Sequence, residues 1–501
     1  MIPLPATNRG ALRDLAEHAL SRAAGGPLVL GNSVRVLRNA SENYPAWLSA
    51  LAAAKQHVCF ENYIFSDDVT GRRVASALAE RARRGVRVRV LYDWLGCLGE
   101  GASRIARQLA AAGVEVRAFN PPRFDRPLAW LSRDHRKAIA IDGQVAFVSG
   151  LCVSDRWAGD ARRGSEEWRD TGVEVRGPAV ADVERAFGST WVAAGGVPIP
   201  AGEVTSRGAV PAAGEVAVRV VATEPNEAGL FRLDLLVSGL ARRSLFLADA
   251  YFFATTPYVE ALRAAARDGV DVRLLVPGVS DLWLVSSVSR AGYRPLLETG
   301  VRVFEWNGPM MHAKTAVADG RWARVGSSNL NVSSWLGNYE LDVTIEDEGV
   351  AGDMERYYLA DLEQATEVVL RRRGRGAAVV PAVPVTARHA GARADLATAG
   401  AIRIGHAVGA ALTGQRTLGP AEARVALGGG IVVVALAVAA LLWPRLLTVP
   451  LAALGLWLGA ALLLHAWRLA RPRRYVETDG APAPGQALLG GRADRQGGRR
   501  P

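Results

Sequence analysis

Short apolar runs of strand length alternate with amphipathic segments as far as about residue 370. VCFENYIF (58–65) precedes a helical stretch and RARRGVRVRVLY (81–92), while LFLADAYFF (245–253) precedes a helical stretch and AARDGVDVRLLV (265–276). Apolar strands that alternate with amphipathic helices are typical of βαβ units. Because the order of elements recurs at offsets of 177 to 188 residues, the pattern predicts two similar α/β halves, each with a largely parallel sheet.

Two long apolar runs without charged side chains follow near the C-terminus. Residues 425–443 form the first, with 19 residues, and residues 446–467 form the second, with 22 residues, of which only His465 is titratable. At a rise of 1.5 Å per residue, each helix would be about 28–33 Å long, which matches the hydrocarbon core of a bilayer. Soluble helices of this length usually carry a polar face, so a transmembrane hairpin is favoured over two buried core helices.

Arginine placement gives this hairpin an orientation. Arg424 precedes the first run and four arginines between 468 and 474 follow the second, whereas the connection between them holds only Arg445. The positive-inside rule therefore places both flanks in the cytoplasm. The N-terminal residues contain no apolar core of a signal peptide. We expect the two halves to lie on the cytoplasmic face of the membrane.

Together these features predict a duplicated α/β fold with pseudo-twofold symmetry, followed by a C-terminal transmembrane helical hairpin. A Pro- and Gly-rich segment separates the two halves, and Arg-rich segments flank the hairpin. The predicted divisions are an N-terminal segment (1–29), the first half (30–196), a linker (197–215), the second half (216–370), a basic linker (371–424), the hairpin (425–467) and a basic disordered tail (468–501).

The positive charge is concentrated in the C-terminal quarter of the chain. The formal net charge is +11, but residues 371–501 carry +13, so residues 1–370 carry the difference, −2. Bulk charge therefore argues against nucleic-acid binding by the two halves. The Arg-rich linker is either held at anionic lipid or simply solvated. Three cysteines without zinc-ligand spacing predict neither a disulfide framework nor a zinc site.

Each repeat contains the pattern His-x-Lys, four intervening residues and then Asp. The chain has only seven histidines and three lysines, so two such patterns at matching positions are informative. Side chains at i and i+2 of a strand share one face, so each His and Lys project together. The Asp-Gly pair at the end of each pattern predicts a hairpin turn. The six residues are His135, Lys137, Asp142, His312, Lys314 and Asp319.

The residues that follow the two patterns differ. The second copy continues with Ser327 and Asn329, whose hydroxyl and amide are donors for an anionic oxygen, whereas the first has Cys152 at the place of Asn329. Asp170 and Glu340 occupy equivalent places further along. Each acid either holds a ring nitrogen of a histidine and fixes its tautomer, or forms an ordinary ion pair at a strand end.

Two imidazoles and two ammonium groups suit chemistry on a phosphodiester. The lysines neutralise the non-bridging oxygens, one histidine attacks phosphorus, and the other protonates the leaving alkoxide. The sequence contains no phosphate-binding GKS/T loop, no HExxH pattern and no carboxylate cluster. We therefore expect neither a metal nor another cofactor.

These paired patterns resemble the signature of the phospholipase D superfamily, and within it the chain is most similar to bacterial cardiolipin synthases over residues 30–370. The resemblance implies a duplicated phospholipase D-like fold with one active site between the halves and a metal-free covalent phosphohistidine. It also implies His135 as nucleophile and His312 as general acid. Two features depart from the family: Cys152 stands where relatives often have Asn, and the hairpin is C-terminal instead of N-terminal.

The resemblance implies a phosphatidyltransferase of the bacterial cytoplasmic membrane that makes cardiolipin and glycerol from two molecules of phosphatidylglycerol. A phospholipase D-type hydrolase, in which water replaces the acceptor alcohol, would use the same residues. A superfamily nuclease is disfavoured by the −2 charge and the membrane hairpin, and a non-catalytic membrane scaffold by two complete motifs. Acceptor preference and oligomeric state are left open by the sequence.

Overall fold

The computed structural model of the chain describes most of its N-terminal three quarters. The described residues are 6–122, 132–160, 164–281, 283–373 and 376–380, with isolated residues between 431 and 463. The chain divides into two units, residues 1–443 and 444–501. All elements given below belong to the first unit.

Sixteen strands and ten α-helices lie in this described part of the chain. The strands are β1 (Val29–Arg38), β2 (His57–Asn62), β3 (Arg87–Asp93), β4 (Glu115–Phe119), β5 (Lys137–Ile141), β6 (Val145–Ser149), β7 (Thr171–Arg176), β8 (Val216–Thr223), β9 (Ser244–Ala248), β10 (Asp271–Pro277), β11 (Arg302–Trp306), β12 (Thr315–Ala318), β13 (Trp322–Gly326), β14 (Glu340–Glu346), β15 (Ala365–Arg373) and β16 (Gly376–Val380). The helices are α1 (Ala6–Ala24), α2 (Asn39–Ala53), α3 (Val69–Arg83), α4 (Ala102–Ala111), α5 (Asp155–Ala158), α6 (Val180–Ala193), α7 (Gly229–Leu240), α8 (Thr256–Arg267), α9 (Trp283–Leu297) and α10 (Glu348–Leu362).

The strands form one continuous sheet in which the order of the first half recurs in the second. The complete order is β16-β15-β11-β10-β9-β12-β13-β14-β8-β1-β7-β6-β5-β2-β3-β4. Strands β1 and β8 meet in the middle as antiparallel neighbours, with Val29 opposite Val218. Read outward from this joint, the seven strands of the first half each have a counterpart in the second half, which adds β15 and β16 at its outer edge. The predicted duplication of an α/β unit is confirmed.

The repeated Gly-Val pairs mark the ends of two equivalent helices. Gly85 follows α3 with a φ of 86°, and Gly269 follows α8 with a φ of 89°. Glycine adopts this left-handed conformation without the steric cost that other residues incur, and it therefore ends helices. Val86 and Val270 are both buried where the chain turns into β3 and β10. This local signal explains why the helix–strand alternation could be predicted correctly.

The prediction of a largely parallel sheet is wrong. Parallel pairing is confined to β2–β3–β4 and β9–β10–β11, and the other strand pairs are antiparallel. The reason lies in the Asp-Gly turns: Asp142 and Gly143 have φ values of 55° and 65°, and Asp319 and Gly320 have values of 54° and 64°. Two consecutive left-handed residues form a tight hairpin, which reverses the strand direction.

Apolar clusters fill the space between the sheet and its helices. Each half has its own core, in which residues such as Trp47 and Phe60 of the first half and Tyr258 and Leu262 of the second are fully buried. A further cluster joins residues of both halves across the central strands. Burial of an aromatic or aliphatic side chain contributes about 1.5–3 kcal/mol. The shared cluster therefore stabilises the two halves against each other.

The structure differs from two of the predicted divisions. The N-terminal segment (1–29) contains α1, which packs on α7 and pairs Glu17 with the buried Arg219 at 2.7 Å. The sheet also continues past residue 370, because β15 pairs with β11 and β16 pairs with β15. Without β15, the edge of β11 would expose unpaired backbone N–H and C=O groups. The basic linker therefore begins later than predicted.

The predicted transmembrane hairpin (425–467) and tail (468–501) lie outside the described residues, apart from isolated positions. In the part of the chain that the structure describes, no helix combines the length and apolar character that crossing a bilayer requires.

Candidate active site

The two halves exchange short backbone contacts at the chain segments that carry the two motifs. The segment before the first motif pairs in parallel with the segment before Glu340, through Asp134 and Tyr339. The segment before the second motif pairs with the segment before Asp170 in the same way, through Arg169 and Met311. These two crossings bring each motif histidine to the acid of the other half.

The first dyad joins His135 to Glu340. Nδ1 of His135 lies 2.9 Å from Oε2 of Glu340, and its backbone N–H donates to the carbonyl oxygen of Tyr339 at 2.9 Å. Glu340 is fully buried and also accepts a hydrogen bond from Ser327 Oγ at 2.5 Å. Within the described part of the chain, the ring of His135 is held through Nδ1, which leaves Nε2 for chemistry.

The second dyad joins His312 to Asp170. Nδ1 of His312 lies 2.7 Å from Oδ2 of Asp170, and its backbone N–H donates to the carbonyl oxygen of Arg169 at 2.7 Å. Asp170 is fully buried and accepts further hydrogen bonds from Trp157 Nε1 at 2.9 Å and from the backbone of Thr171 at 2.8 Å. An ionised carboxylate only accepts, so Nδ1 carries the proton in both dyads.

Each lysine lies beside its histidine and over a tyrosine ring. Lys137 Nζ donates to the carbonyl oxygen of His135 at 2.5 Å and lies 4.9 Å from the ring centroid of Tyr63. Lys314 Nζ lies 3.2 Å from Nε2 of His312 and 5.7 Å from the ring centroid of Tyr251. Cation–π contacts of this kind hold an ammonium group without neutralising it.

These two tyrosines were not predicted from the sequence. Tyr63 and Tyr251 begin the matching tripeptides 63–65 and 251–253 of the repeat, and this match is the signal that could have identified them. Their rings also lie near the histidines, with centroid distances of 4.7 Å from Tyr63 to His135 and 6.0 Å from Tyr251 to His312. Each half therefore contributes a histidine, a lysine and a tyrosine.

Burial and the two ammonium groups lower the pKa values of both histidines. Burial has the largest effect on His312 and, with Lys314, lowers its pKa to about 3 although Asp170 acts in the opposite direction. The pKa of His135 is also lowered, chiefly by burial, while Glu340 opposes the shift. Lys137 and Lys314 each act on both histidines. The four groups are therefore close enough to interact electrostatically.

The two acids remain ionised despite their burial. Burial by itself would raise the pKa of Asp170, but His312 and Lys314 outweigh it and lower the pKa below its usual value. His135 and Lys137 do the same for Glu340. Desolvation also lowers the pKa of Lys314, to about 8. The site thus combines two buried carboxylates, two imidazoles with lowered pKa values and two lysines.

Of the two side chains predicted to bind phosphate, Ser327 is held by the acid of the first dyad. Ser327 Oγ is committed to Glu340, as described above. Asn329 is buried, and its Oδ1 has no hydrogen-bond partner among the described residues. Its counterpart Cys152 is buried as well, and desolvation raises the pKa of its thiol. The first half therefore has a neutral thiol where the second half has an amide.

The third residue of each motif does not reach this site, which corrects our grouping of Asp142 and Asp319 with the reacting residues. Strand β5 lies between Lys137 and Asp142, and its five residues span roughly 17 Å. The Asp142 carboxylate accepts hydrogen bonds from the backbone N–H groups of residues 55–57 at 2.7–2.8 Å. Asp319 binds the backbone of residues 242–244 in the same way. Both aspartates hold a turn against the preceding segment.

We therefore expect Asp142→Ala to lower stability and to leave the chemistry unchanged. The substitution leaves three backbone N–H groups without their acceptor and places alanine in a left-handed conformation, so the free energy of unfolding should fall by about 2–4 kcal/mol. Thermal melting and the specific activity of the folded fraction measure the two effects. Asp142→Asn keeps an acceptor and tolerates the backbone, so it should lose less. A large loss of kcat at an unchanged melting temperature would contradict this assignment.

A duplicated α/β fold with two His–Lys pairs, each completed by an acid from the other half, is the arrangement of a phospholipase D-like protein. A family model described as "Cardiolipin synthase, PLD-like domain" matches residues 47–191 and 239–362. The chain is 33% identical to the cardiolipin synthase of Alkalihalophilus pseudofirmus over 346 residues, which is 68% of each chain. It is 30% identical to cardiolipin synthase 1 of Bacillus anthracis over 369 residues, 70% of each chain. The chain belongs to the phospholipase D-like cardiolipin synthase family.

A solved structure agrees with this fold. The phosphatidylserine synthase of Haemophilus influenzae superposes with a TM-score of 0.55, covering 70% of this chain and 91% of that chain. The sequences are only 13% identical, so this likeness concerns the fold alone. The resemblance to the phospholipase D superfamily that the paired motifs predicted is confirmed by the family match.

Proposed function

We propose that this chain is a phosphatidyltransferase that makes cardiolipin and glycerol from two molecules of phosphatidylglycerol. Its membership of the cardiolipin synthase family supports the substrate class. The observation that carries the mechanism is the crossed pairing, in which His135 is held by Glu340 and His312 by Asp170. Neither half has a complete dyad by itself, so both halves act on one phosphorus atom.

In the first step, Nε2 of His135 attacks the phosphorus of one phosphatidylglycerol. The phosphorus–nitrogen bond forms as the bond to the glycerol head group breaks, and His312 donates a proton to the departing alkoxide. Glu340 stabilises the positive charge that develops on His135, as the carboxylate of a catalytic triad does for its imidazole. Both rings are held through Nδ1, so Nε2 is the reacting atom of each, and the division of roles between them follows the resemblance to the family.

In the second step, the hydroxyl of another phosphatidylglycerol attacks the phosphohistidine. His312, now neutral, removes the hydroxyl proton, the phosphorus–nitrogen bond breaks, and His135 is restored. Lys137 and Lys314 neutralise the non-bridging oxygens in both steps. Asn329 is proposed to donate its amide to one of these oxygens. If water entered instead of the acceptor, the product would be phosphatidic acid, so exclusion of water determines the outcome.

Substrate binding itself prepares the acid for the first step. The two ammonium groups contribute to the low pKa of His312 in the empty site. An anionic phosphodiester between Lys137 and Lys314 offsets their charge, which raises the pKa of the imidazole toward the working pH. The general acid therefore gains its proton when the lipid phosphate is bound.

The lowered pKa of Lys314 predicts a loss of activity in alkaline solution. Its pKa is about 8, so the ammonium form is complete below this value and is lost as the pH rises through it. Because transition-state stabilisation needs the charge, kcat/KM should fall above about pH 8. Lys55→Gln removes a lysine outside the site and should leave the profile unchanged. A rate that stays constant to pH 10 would contradict the role of Lys314.

We also propose that the chain is held at the cytoplasmic membrane by the hairpin 425–467, with the site on the cytoplasmic face. The uncharged runs and the flanking arginines support this proposal. A lipid substrate requires the site to work beside the bilayer. Partition of the full chain and of a chain ending at residue 424 between membrane and aqueous fractions tests it; equal partition of the two would contradict it.

The function is tested with the purified full chain and labelled phosphatidylglycerol in mixed micelles. Cardiolipin and glycerol in equal amounts are the expected products. Phosphatidic acid alone would make the protein a hydrolase and contradict the transfer reaction. Unchanged lipid together with cleavage of an oligonucleotide would contradict the lipid substrate as well.

A further inference from the structure

The two crossed dyads have different supporting hydrogen bonds. The carboxylate of Glu340 is supported by the hydroxyl of Ser327. The carboxylate of Asp170 is supported by the indole of Trp157, whose Nε1 lies 2.9 Å from Oδ2, the same oxygen that holds His312 at 2.7 Å. Trp157 belongs to neither motif, and nothing in the pseudo-twofold repeat requires this contact.

Trp157 also contacts the imidazole of His312 directly. The two ring centroids are 5.0 Å apart and the ring planes are nearly perpendicular, at 89°. A second indole, Trp168, packs on Trp157 with a centroid distance of 4.6 Å, and its backbone N–H donates to the Trp157 carbonyl oxygen at 3.2 Å. Trp157 is 2% exposed, so this geometry is fixed by packing on several sides.

The second half contains a tryptophan in a comparable turn, but the ring of this tryptophan packs in the hydrophobic core. Trp335 lies in the π-helical turn Ser333–Gly337, which follows β13 much as α5 follows β6. Its ring packs on Phe231 at 4.9 Å and on Tyr258 at 5.2 Å, within the hydrophobic core of that half. The two tryptophans are similarly buried, but only Trp157 joins an acid to a histidine.

An indole N–H on a buried carboxylate has two physical consequences. It fixes the orientation of the carboxylate, and with it the direction in which the imidazole presents Nε2. It also takes up part of the negative charge of Asp170, which makes the carboxylate a weaker base toward the Nδ1 proton of His312. The indole therefore keeps the imidazole neutral until the substrate phosphate arrives.

We propose that Trp157 is a positioning residue for the reaction, acting through Asp170 on His312. This inference rests on the proposed function only in that His312 carries the proton. His312 has that role both when an alcohol accepts the phosphatidyl group and when water does. In this proposal Trp157 of the first half supports the acid that holds His312, whereas the hydroxyl of Ser327 supports the acid that holds His135.

Trp157→Phe tests the proposal because it keeps an aromatic ring and removes the N–H. We expect kcat to fall by about 10–100-fold, with KM changed by less than about threefold. Without the indole, Asp170 becomes more basic and stabilises the imidazolium, so the pKa of His312 should rise and the limb of the kcat/KM profile on which His312 loses its proton should move to higher pH. A merely structural role would lower the amount of active protein without moving this limb.

Trp335→Phe is the matched control, since it removes an indole N–H from the comparable buried turn of the other half. It should retain the wild-type kcat and pH profile. The proposal would be overturned if Trp157→Phe kept the wild-type rate, if it lost rate without a shift of the limb that reports His312, or if Trp335→Phe behaved in the same way.

A spectroscopic measurement keeps the proposal testable if Trp157→Phe fails to fold. In protein labelled with ¹⁵N-tryptophan, Asp170→Asn should shift one indole N–H signal strongly, and Glu340→Gln should leave that signal in place. Equal responses, or none, would overturn the contact. Phosphatidic acid as the product would contradict the proposed transfer reaction, but the rates and pH profile of Trp157→Phe would still test this inference on the hydrolysis.

Discussion

Alanine in place of either His135 or His312 is expected to lower turnover by at least about 10⁴-fold while the protein still folds. One ring forms the bond to phosphorus and the other moves the proton, so neither half can complete the reaction without its partner. The two side chains are 12% and 5% exposed, and alanine keeps the backbone N–H groups that donate across the two crossings. Product formation from labelled phosphatidylglycerol measures the rate, and circular dichroism measures the fold.

His57→Ala is the control for this pair. His57 is also buried and also paired with a carboxylate, Glu184, at 2.7 Å, but it lies at the start of β2 beside the Asp142 turn. We expect it to cost stability and to leave kcat nearly unchanged. The double variant of His135 and His312 should be no slower than the worse single variant, because both serve one reaction. Activity above about 1% of wild type in either single variant would contradict the shared site.

Asp170→Asn and Glu340→Gln are expected to lower kcat by about 10²–10⁴-fold each. The amide that replaces the carboxylate cannot stabilise the imidazolium, and its NH₂ group favours the wrong tautomer of the ring. The two variants change different halves but should have effects of similar size, since each acid serves the histidine of the other half. Steady-state rates with KM measured separately distinguish this loss from weaker binding.

Glu184→Gln is the matched control for the two acids, because it alters a buried imidazole–carboxylate pair of the same length outside the site. It should reduce stability without a comparable loss of kcat. If Asp170→Asn were inactive and Glu340→Gln fully active, one half alone would carry the reaction, and the crossed arrangement would have no role in it.

The local pattern of the sequence was sufficient to identify the two motifs and to predict the hairpin turns and the duplication. These features depend on spacing of a few residues: i and i+2 share a strand face, and Asp142 with Gly143 adopts the turn that its sequence favours. The prediction of a largely parallel sheet was wrong because it extended the parallel pairing of β2–β4 to the whole sheet. It did not take into account the hairpin that follows these strands. Chain reversal at that hairpin makes the neighbouring pairs antiparallel.

The crossed pairing and the role of Trp157 were not predicted. Asp170 and Glu340 were expected to hold histidines, but which acid meets which ring depends on the two backbone crossings between the halves, about 140 and 205 residues apart in the chain. Trp157 was not singled out in the sequence. Aromatic residues at a site and in a core have the same sequence pattern.

The central claim is that both halves act on one phosphorus atom through a single covalent intermediate. Turnover with ³²P-labelled phosphatidylglycerol, quenched in denaturant and alkali and mapped by proteolysis and mass spectrometry, tests it directly. The account predicts one alkali-stable, acid-labile phosphoryl label per chain, on His135, and no label on His312. Label on both histidines at two per chain, or turnover to cardiolipin with no labelled protein at any time, would contradict it.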